Sequence, residues 1–421
     1  MEGDTQGYLK RNREDGLFRI PQISYFCTRY KEIAMIIVRS SEIETKKSFI
    51  FKKKLDLLGR GVIFMEWSQI ENYYIKKKLL KTITIELINQ CNWKCKHCYL
   101  DKEKMTMPKE KIFEIIDDAK NLGAIEVKFS GGEITLRKDL PDIIKYTREK
   151  YMDVILLTNL YILTNELESC IEKYGVKRIE VTLFSLTEQV HDNFVGIKGA
   201  LKKSFSNIKR LKKLGVEILV KTWAFKSNFE ELEKMNIFFK KEGIDFNIHV
   251  QIYADINGNF KMPVELQLDN NEMKKALYLS DKSLNRKFPL SNCSEENLCI
   301  EFNNSIYVTA YGDIVPCAKY RKAISNIYNQ NLYDFWEHSI EWHKIQNYLW
   351  KDVIDCKDCA QKHFCVRCGA MSYILGHDFL ENCTETCRLA QLRMSSNYEL
   401  YEEEKNEKEK FFNTYIMANN S

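Results

Sequence analysis

Residues 85–102 read IELINQCNWKCKHCYLDK: an apolar, strand-like run closed by Cys91, Cys95 and Cys98 in a C-x3-C-x2-C spacing. Three thiolates this close can each take one iron of a cubic [4Fe–4S] cluster, and a fourth protein ligand is missing nearby. Such a ligand set leaves one iron open to a small chelating molecule. A zinc loop plus a spare thiol is the alternative, but zinc sites usually present paired C-x2-C units and close at four ligands.

Working outward, apolar strand-like runs recur at 83–87, 125–129, 154–157, 179–183, 216–220 and 246–251. Between the first two the sequence predicts a helix with Pro108 in its first turn, an Ile112/Ile115/Ile116/Ala119 stripe and Gly123 as its stop. A similar amphipathic segment covers 201–214. Repeated β–α alternation predicts an α/β fold with a parallel sheet, because parallel strands need helical crossovers. Its chemistry is expected at the C-terminal ends of the strands, where the cysteine loop follows the first.

The other strand ends carry candidate ligand contacts. The second closes on Phe129-Ser130-Gly131-Gly132-Glu133. Its two glycines let the backbone pass close to a ligand, and its carboxylate can accept hydrogen bonds from an ammonium. Alone this is an ordinary βα turn; one β–α unit after the cysteine spacing it becomes specific. The third strand ends at Thr158-Asn159, and the fourth runs Val181-Thr182-Leu183-Phe184-Ser185 and on to His191-Asp192, read as structural caps. Lys221 ends the fifth, where a surface lysine and an anion contact are equally good readings.

A second cysteine field follows: Cys293, Cys299, then Gly312 and Cys317, then Cys356-x2-Cys359-x5-Cys365-x2-Cys368, and finally Cys383 and Cys387. Two C-x2-C pairs can also close a tetrahedral zinc site. Cys27 and Cys170 stand apart and read as small core residues. Residues 391–412 are highly charged and helix-like, a solvated face or strut.

Taken together, residues 82–390 resemble the radical S-adenosylmethionine (SAM) enzymes with a C-terminal SPASM domain, of the peptide or protein maturase type. The resemblance implies a partial (β/α)6 parallel barrel, a small N-terminal domain and a C-terminal cysteine-rich iron–sulfur (SPASM-like) domain. The implied boundaries are 1–80 for a small N-terminal domain with a possible peptide-recognition role, 81–290 for the radical SAM core, 291–390 for the auxiliary-cluster domain and 391–421 for a charged tail. It implies that Cys91, Cys95 and Cys98 hold a SAM-binding [4Fe–4S] cluster. SAM would be contacted by Tyr99, Gly131, Gly132, Glu133, Asn159, Thr182 or Ser185, and Lys221. Ile134 stands where the family usually has proline. Of two auxiliary clusters, the inner would take Cys293, Cys299, Cys317 and Cys368, and the outer Cys356, Cys359, Cys365 and Cys387, the last preferred over Cys383. Two residues, where the family usually has three, separate Cys365 from Cys368.

The implied reaction is reductive cleavage of SAM to a 5′-deoxyadenosyl radical that modifies a peptide, by crosslinking or epimerisation, in ribosomal peptide maturation. The electron donor would be a flavodoxin or ferredoxin. Alternatives are maturation of a sulfatase-like protein or a cofactor-precursor peptide and, from another class, a noncatalytic zinc-binding interaction module. No residue stands out as the donor of a proton or hydrogen.

Composition fits this reading. A chain of 421 residues predicts two or three domains with ample core. The balance of 64 basic to 59 acidic side chains is too mild to imply nucleic acid, though it leaves room for an acidic peptide. No targeting peptide is evident, and apolar runs such as 33–38 and 62–65 are strand-sized, so no membrane span is expected. Fourteen cysteines in such a chain point to metal ligands in a reducing cytoplasm.

Overall fold

The computed structural model describes residues 24–27, 34–37, 62–65, 73–98, 100, 104–250, 266–288, 297–299 and 301–396. Tyr99 and Cys293 lie outside these, as does residue 251 at the end of the expected sixth strand. The chain divides into two compact units, Met1–Leu79 and Leu80–Ser421. In the first, β1 (Ser24–Cys27) pairs antiparallel with β2 (Ala34–Ile37), which pairs parallel with β3 (Val62–Met65).

The second unit is built on a nine-stranded sheet. Six parallel strands form its main run: β4 (Thr82–Ile88), β5 (Glu126–Gly131), β6 (Asp153–Thr158), β7 (Arg178–Thr182), β8 (Ile218–Trp223) and β9 (Asp245–His249). Helices α1 (Lys109–Asn121), α2 (Leu140–Glu149), α3 (Asn165–Tyr174), α4 (Glu188–Val195), α5 (Ala200–Lys213) and α6 (Leu232–Lys241) supply the crossovers. Pro108 is the N-cap of α1, one position ahead of its first turn, and Gly123 stops the helix at φ +97°. The α1 stripe of Ile112, Ile115, Ile116 and Ala119 is fully buried. Each isoleucine contributes about 1.5–3 kcal/mol of burial.

The period-two alternation of the strands gives the sheet two unlike faces. Ile83, Ile85, Leu87, Val127, Phe129, Val154, Leu156, Ile179 and Val181 join the helices in one core. The opposite face carries Glu86, Lys128, Glu180 and Lys221, the last two joined as an ion pair across β7 and β8. At its far end Trp223 stacks on His249 with ring centroids 5.1 Å apart.

The cysteine-rich segment contributes strands to this same sheet. Strand β10 (Ser305–Val308) pairs parallel with β4, and β11 (Asp313–Val315) and β12 (Ser325–Asn326) continue antiparallel. The first barrel strand is therefore covered rather than left as an edge. A buried charge pair joins the two parts. Glu86 on β4 accepts from Arg321 at both oxygens, 2.8 and 3.0 Å, from the Tyr307 hydroxyl at 2.7 Å and from the Ala310 amide at 3.2 Å. Four donors on one carboxylate offset its desolvation, so removing one partner is costly.

The helix covering 384–396 runs into the expected tail. Its Arg393 is buried and donates from Nε to Asp281 of helix α7 (Asn270–Ser283) at 2.6 Å, so residues 391–396 belong to the packed unit.

We predict that Glu86→Gln and Arg321→Met each destabilise the apoprotein by about 3–5 kcal/mol. Glu86→Leu/Arg321→Met should cost less than the sum of its single changes. Thermal unfolding followed by circular dichroism checks this; strictly additive losses would contradict a coupled pair.

Candidate functional site

The cysteine loop leaves β4 and is held at both ends by backbone hydrogen bonds. On the strand side, Gly132 N donates to Ile88 O at 2.7 Å and Glu133 N to Gln90 O at 2.9 Å. On the helix side, Lys94 N and Lys96 N donate to Val195 O and Phe194 O at 2.8 and 3.2 Å, at the end of α4. The glycines are required by the close approach of protein to protein. A Cβ on Gly131, at φ +136°, would lie 2.0 Å from Ile88 O, and one on Gly132 would lie 2.2 Å from Gln90 O.

Glu133 is wholly buried and fully engaged. It accepts from Thr135 N and Oγ1 at 2.9 and 2.7 Å, from Thr158 Oγ1 at 2.5 Å and from Asn159 N at 2.6 Å. Burial raises its carboxyl above the usual range, against the pull of those hydrogen bonds. The side chain expected to meet an ammonium thus ties β5 to β6, leaving the strand-edge backbone for a ligand. Asn159 carries the tie onward: its Nδ2 donates to Asn92 Oδ1 at 2.8 Å and lies 3.8 Å from Cys91 Sγ.

Cys91 and Cys98 keep exposed faces while Cys95 is half-buried, and the Cys95 thiol feels both of the others. Partial loss of water pushes Cys91 up to about 12 and raises Cys95 and Cys98. Neutral thiols of this kind ionise on binding a metal, releasing protons. The donor set suits an iron–sulfur cluster, and a buried donor, Asn92 Nδ2, is left unmatched beside the first thiol. Among the described residues no three Cys, His, Asp or Glu side chains converge on a single metal ion. A four-iron cluster needs no such convergence, since each thiolate takes its own iron.

Beneath the loop is an aromatic cage that sequence reading missed. His97 sits among Phe184, Phe194, Trp223 and Phe225, with centroids 5.1, 5.4, 5.7 and 5.1 Å away. Burial lowers His97 to about 4, so the ring is neutral at physiological pH. The aromatic residues at the β7 and β8 strand ends and along α4 were the available signal. Their convergence needed the fold.

Three further expected contacts lie on or just after β7 and β8. Thr182 and Lys221 are register partners on β7 and β8, and Lys221 is taken by Glu180. The Ser185 hydroxyl is completely buried, donates to Glu231 at 2.6 Å and accepts from Thr187 N at 2.8 Å.

The second cysteine field separates into two groups. Cys317 is pushed up to about 11 by burial and by Cys368 beside it; Cys299, like Cys356, packs on the main core. Cys356, Cys359, Cys365 and Cys387 feel one another, with Cys365 pushed up to about 12. Cys383 is buried one helical turn before the exposed Cys387.

Residues 85–238 match the model of the Radical SAM superfamily, and residues 299–368 match SPASM, an iron–sulfur cluster-binding domain. The chain is a radical SAM enzyme, with iron–sulfur clusters and SAM as its cofactors. Within that superfamily it belongs with the enzymes that carry a SPASM domain. The AdoMet-dependent heme synthase of Methanosarcina barkeri is 24% identical over 334 residues, 72% of this chain and 94% of that protein. The antilisterial bacteriocin subtilosin biosynthesis protein AlbA of Bacillus subtilis is 26% identical over 260 residues, 59% of this chain and 57% of its own length. The crystal structure of Streptococcus suis SuiB bound to S-adenosylmethionine aligns with a TM-score of 0.59 at 17% identity, covering 83% of this chain and 88% of SuiB. SuiB bound to its precursor peptide SuiA aligns at 0.55 and 17% identity, covering 69% and 73%.

Gly132→Ala places its Cβ 2.5 Å from Asn89 O as well as against Gln90, and should displace the loop. Glu133→Gln should act in the same direction by confronting donors with an amide. We expect both variants to lose the SAM-responsive electron paramagnetic resonance (EPR) signal while keeping native helix content. An unaltered signal would show that the turn does not set the loop.

Proposed function

We propose that this enzyme uses the radical derived from SAM to modify a peptide, by crosslinking or epimerisation, during maturation of a ribosomally made product in the cytoplasm. Residues 1–80 would hold the leader of that peptide, and a flavodoxin or ferredoxin would deliver the electron. The observation that carries the reading is one continuous sheet that bears the three-thiol loop after β4 and Cys317 between β11 and β12. Support for a peptide comes from the relatives named for bacteriocin biosynthesis and for a complex with a precursor peptide.

In this reading Cys91, Cys95 and Cys98 hold the SAM-binding cluster, with Tyr99, Gly131, Gly132, Asn159, Thr182 and Lys221 around the bound SAM. Cys293, Cys299, Cys317 and Cys368 hold an inner auxiliary cluster, and Cys356, Cys359, Cys365 and Cys387 an outer one. When bound, the first cluster supplies the electron for reductive cleavage of SAM. The protein's own part is positional. Glu133 holds Asn159, Asn159 orients Cys91, and the cage around His97 keeps water from the underside of the loop.

A second reading, a tetrapyrrole substrate, is favoured by the match along 94% of the heme synthase. Maturation of a sulfatase-like protein or a cofactor-precursor peptide is a variant of the first reading.

Anaerobically purified protein should carry about twelve irons and twelve sulfides per chain, from three four-iron clusters. Zinc at one or two per chain without visible absorbance would defeat that assignment. Cys95→Ala should abolish 5′-deoxyadenosine formation, and turnover at the wild-type rate would remove the loop from its assigned role. Mass spectrometry after incubation with SAM, dithionite and either a genomically adjacent precursor peptide or an iron-porphyrin decides between substrates. Mass change in the porphyrin alone would overturn the peptide reading.

A further inference from the structure

Between the two groups of auxiliary thiols lies a charge that neither ligand set accounts for. Arg367 is in the two-residue link between Cys365, of the outer set, and Cys368, of the inner. The residue is 8% exposed. Its Nη2 donates to Phe379 O at 2.6 Å and to Glu381 O at 2.8 Å, which clamps the following loop. Its Nε and Nη1 are buried and meet no oxygen acceptor among the described residues, the Cys356 thiol being the one side-chain acceptor within its reach. No carboxylate among those residues forms an ion pair with it. What faces the guanidinium is sulfur: its charge interacts with Cys356, Cys365 and Cys368.

A guanidinium stays protonated in proteins, and a buried one whose remaining donors meet only thiols is costly unless anions meet it. Thiols are poor partners, whereas cluster thiolates are good ones, because hydrogen bonds to a cluster's sulfurs help set its potential.

Resting on the auxiliary-cluster reading above, we infer that Arg367 is a positioning residue shared by both auxiliary clusters, donating to the Cys356 and Cys365 thiolates and extending its charge to the Cys368 side. One-electron reduction adds one negative charge to a cluster. The adjacent cation stabilises the reduced form more than the oxidised one, so it holds both auxiliary potentials up. The SAM-binding cluster, whose thiols Arg367 does not face, is left unaffected.

The test is a dithionite-poised redox titration of full-length, cluster-loaded protein followed by EPR, on wild type, Arg367→Gln and Arg367→Lys. Arg367→Gln should lower both auxiliary midpoints by at least a tenfold change in the oxidised-to-reduced ratio, about 59 mV for one electron. The outer cluster should move more. Arg367→Lys, which keeps charge but not the fork, should fall between. The SAM-binding cluster's midpoint should not move. Unchanged auxiliary midpoints in loaded variants, or an equal shift at all three clusters, would overturn the inference. So would loss of both auxiliary clusters from Arg367→Lys with a lowered unfolding temperature, which marks a purely structural clamp. Wild-type protein with only about four irons per chain would instead defeat the auxiliary-cluster reading, and this inference with it.

Discussion

The candidate site depends on how closely the end of β5 passes the end of β4. Two side-chain-free residues in succession, Gly131 and Gly132, are what the carbonyls of Ile88, Asn89 and Gln90 leave room for. That contact fixes where the chain exits β4, and so where Cys91 begins the loop. It also buries Glu133, whose carboxylate would be a liability there without its four donors. Satisfied, the same carboxylate becomes a rigid joint between two strands and, through Asn159, reaches the first thiol. Geometry at the loop is thus inherited from backbone packing rather than from flexible side chains.

A comparable constraint joins the loop's strand to the cysteine-rich region. Because β10 pairs with β4 and Arg321 grips Glu86, Cys317, between β11 and β12, is carried on the same sheet as the three-thiol loop. A buried ion pair is no guarantee of extra stability, since its attraction is set against the cost of drying both charges. Its value here is registry: a carboxylate that needs four donors is satisfied in one alignment of the two strands.

Fold and chemistry are determined at different levels in this family. Heme synthase and bacteriocin biosynthesis protein are both relatives, so the shared scaffold restricts the radical-generating half of the reaction more than the substrate.

The amino-acid sequence by itself determined the six parallel strands, since apolar runs separated by amphipathic helices admit little else, and it named the cysteines by their spacing. The strand ends were legible to within a few residues: 83–87 against Thr82–Ile88, and 179–183 against Arg178–Thr182. Short-range patterns survive in sequence because hydrophobic burial repeats along one element. Glu86 was visible only as a lone charge in an apolar run, and its partner Arg321 lies 235 positions away. The cage around His97, the bond of Ser185 to Glu231 and the burial of Arg367 against the Phe379 and Glu381 carbonyls were decided by tertiary structure alone. Each depends on which separate segments the fold brings together, and burial then dictates which polar groups must find partners.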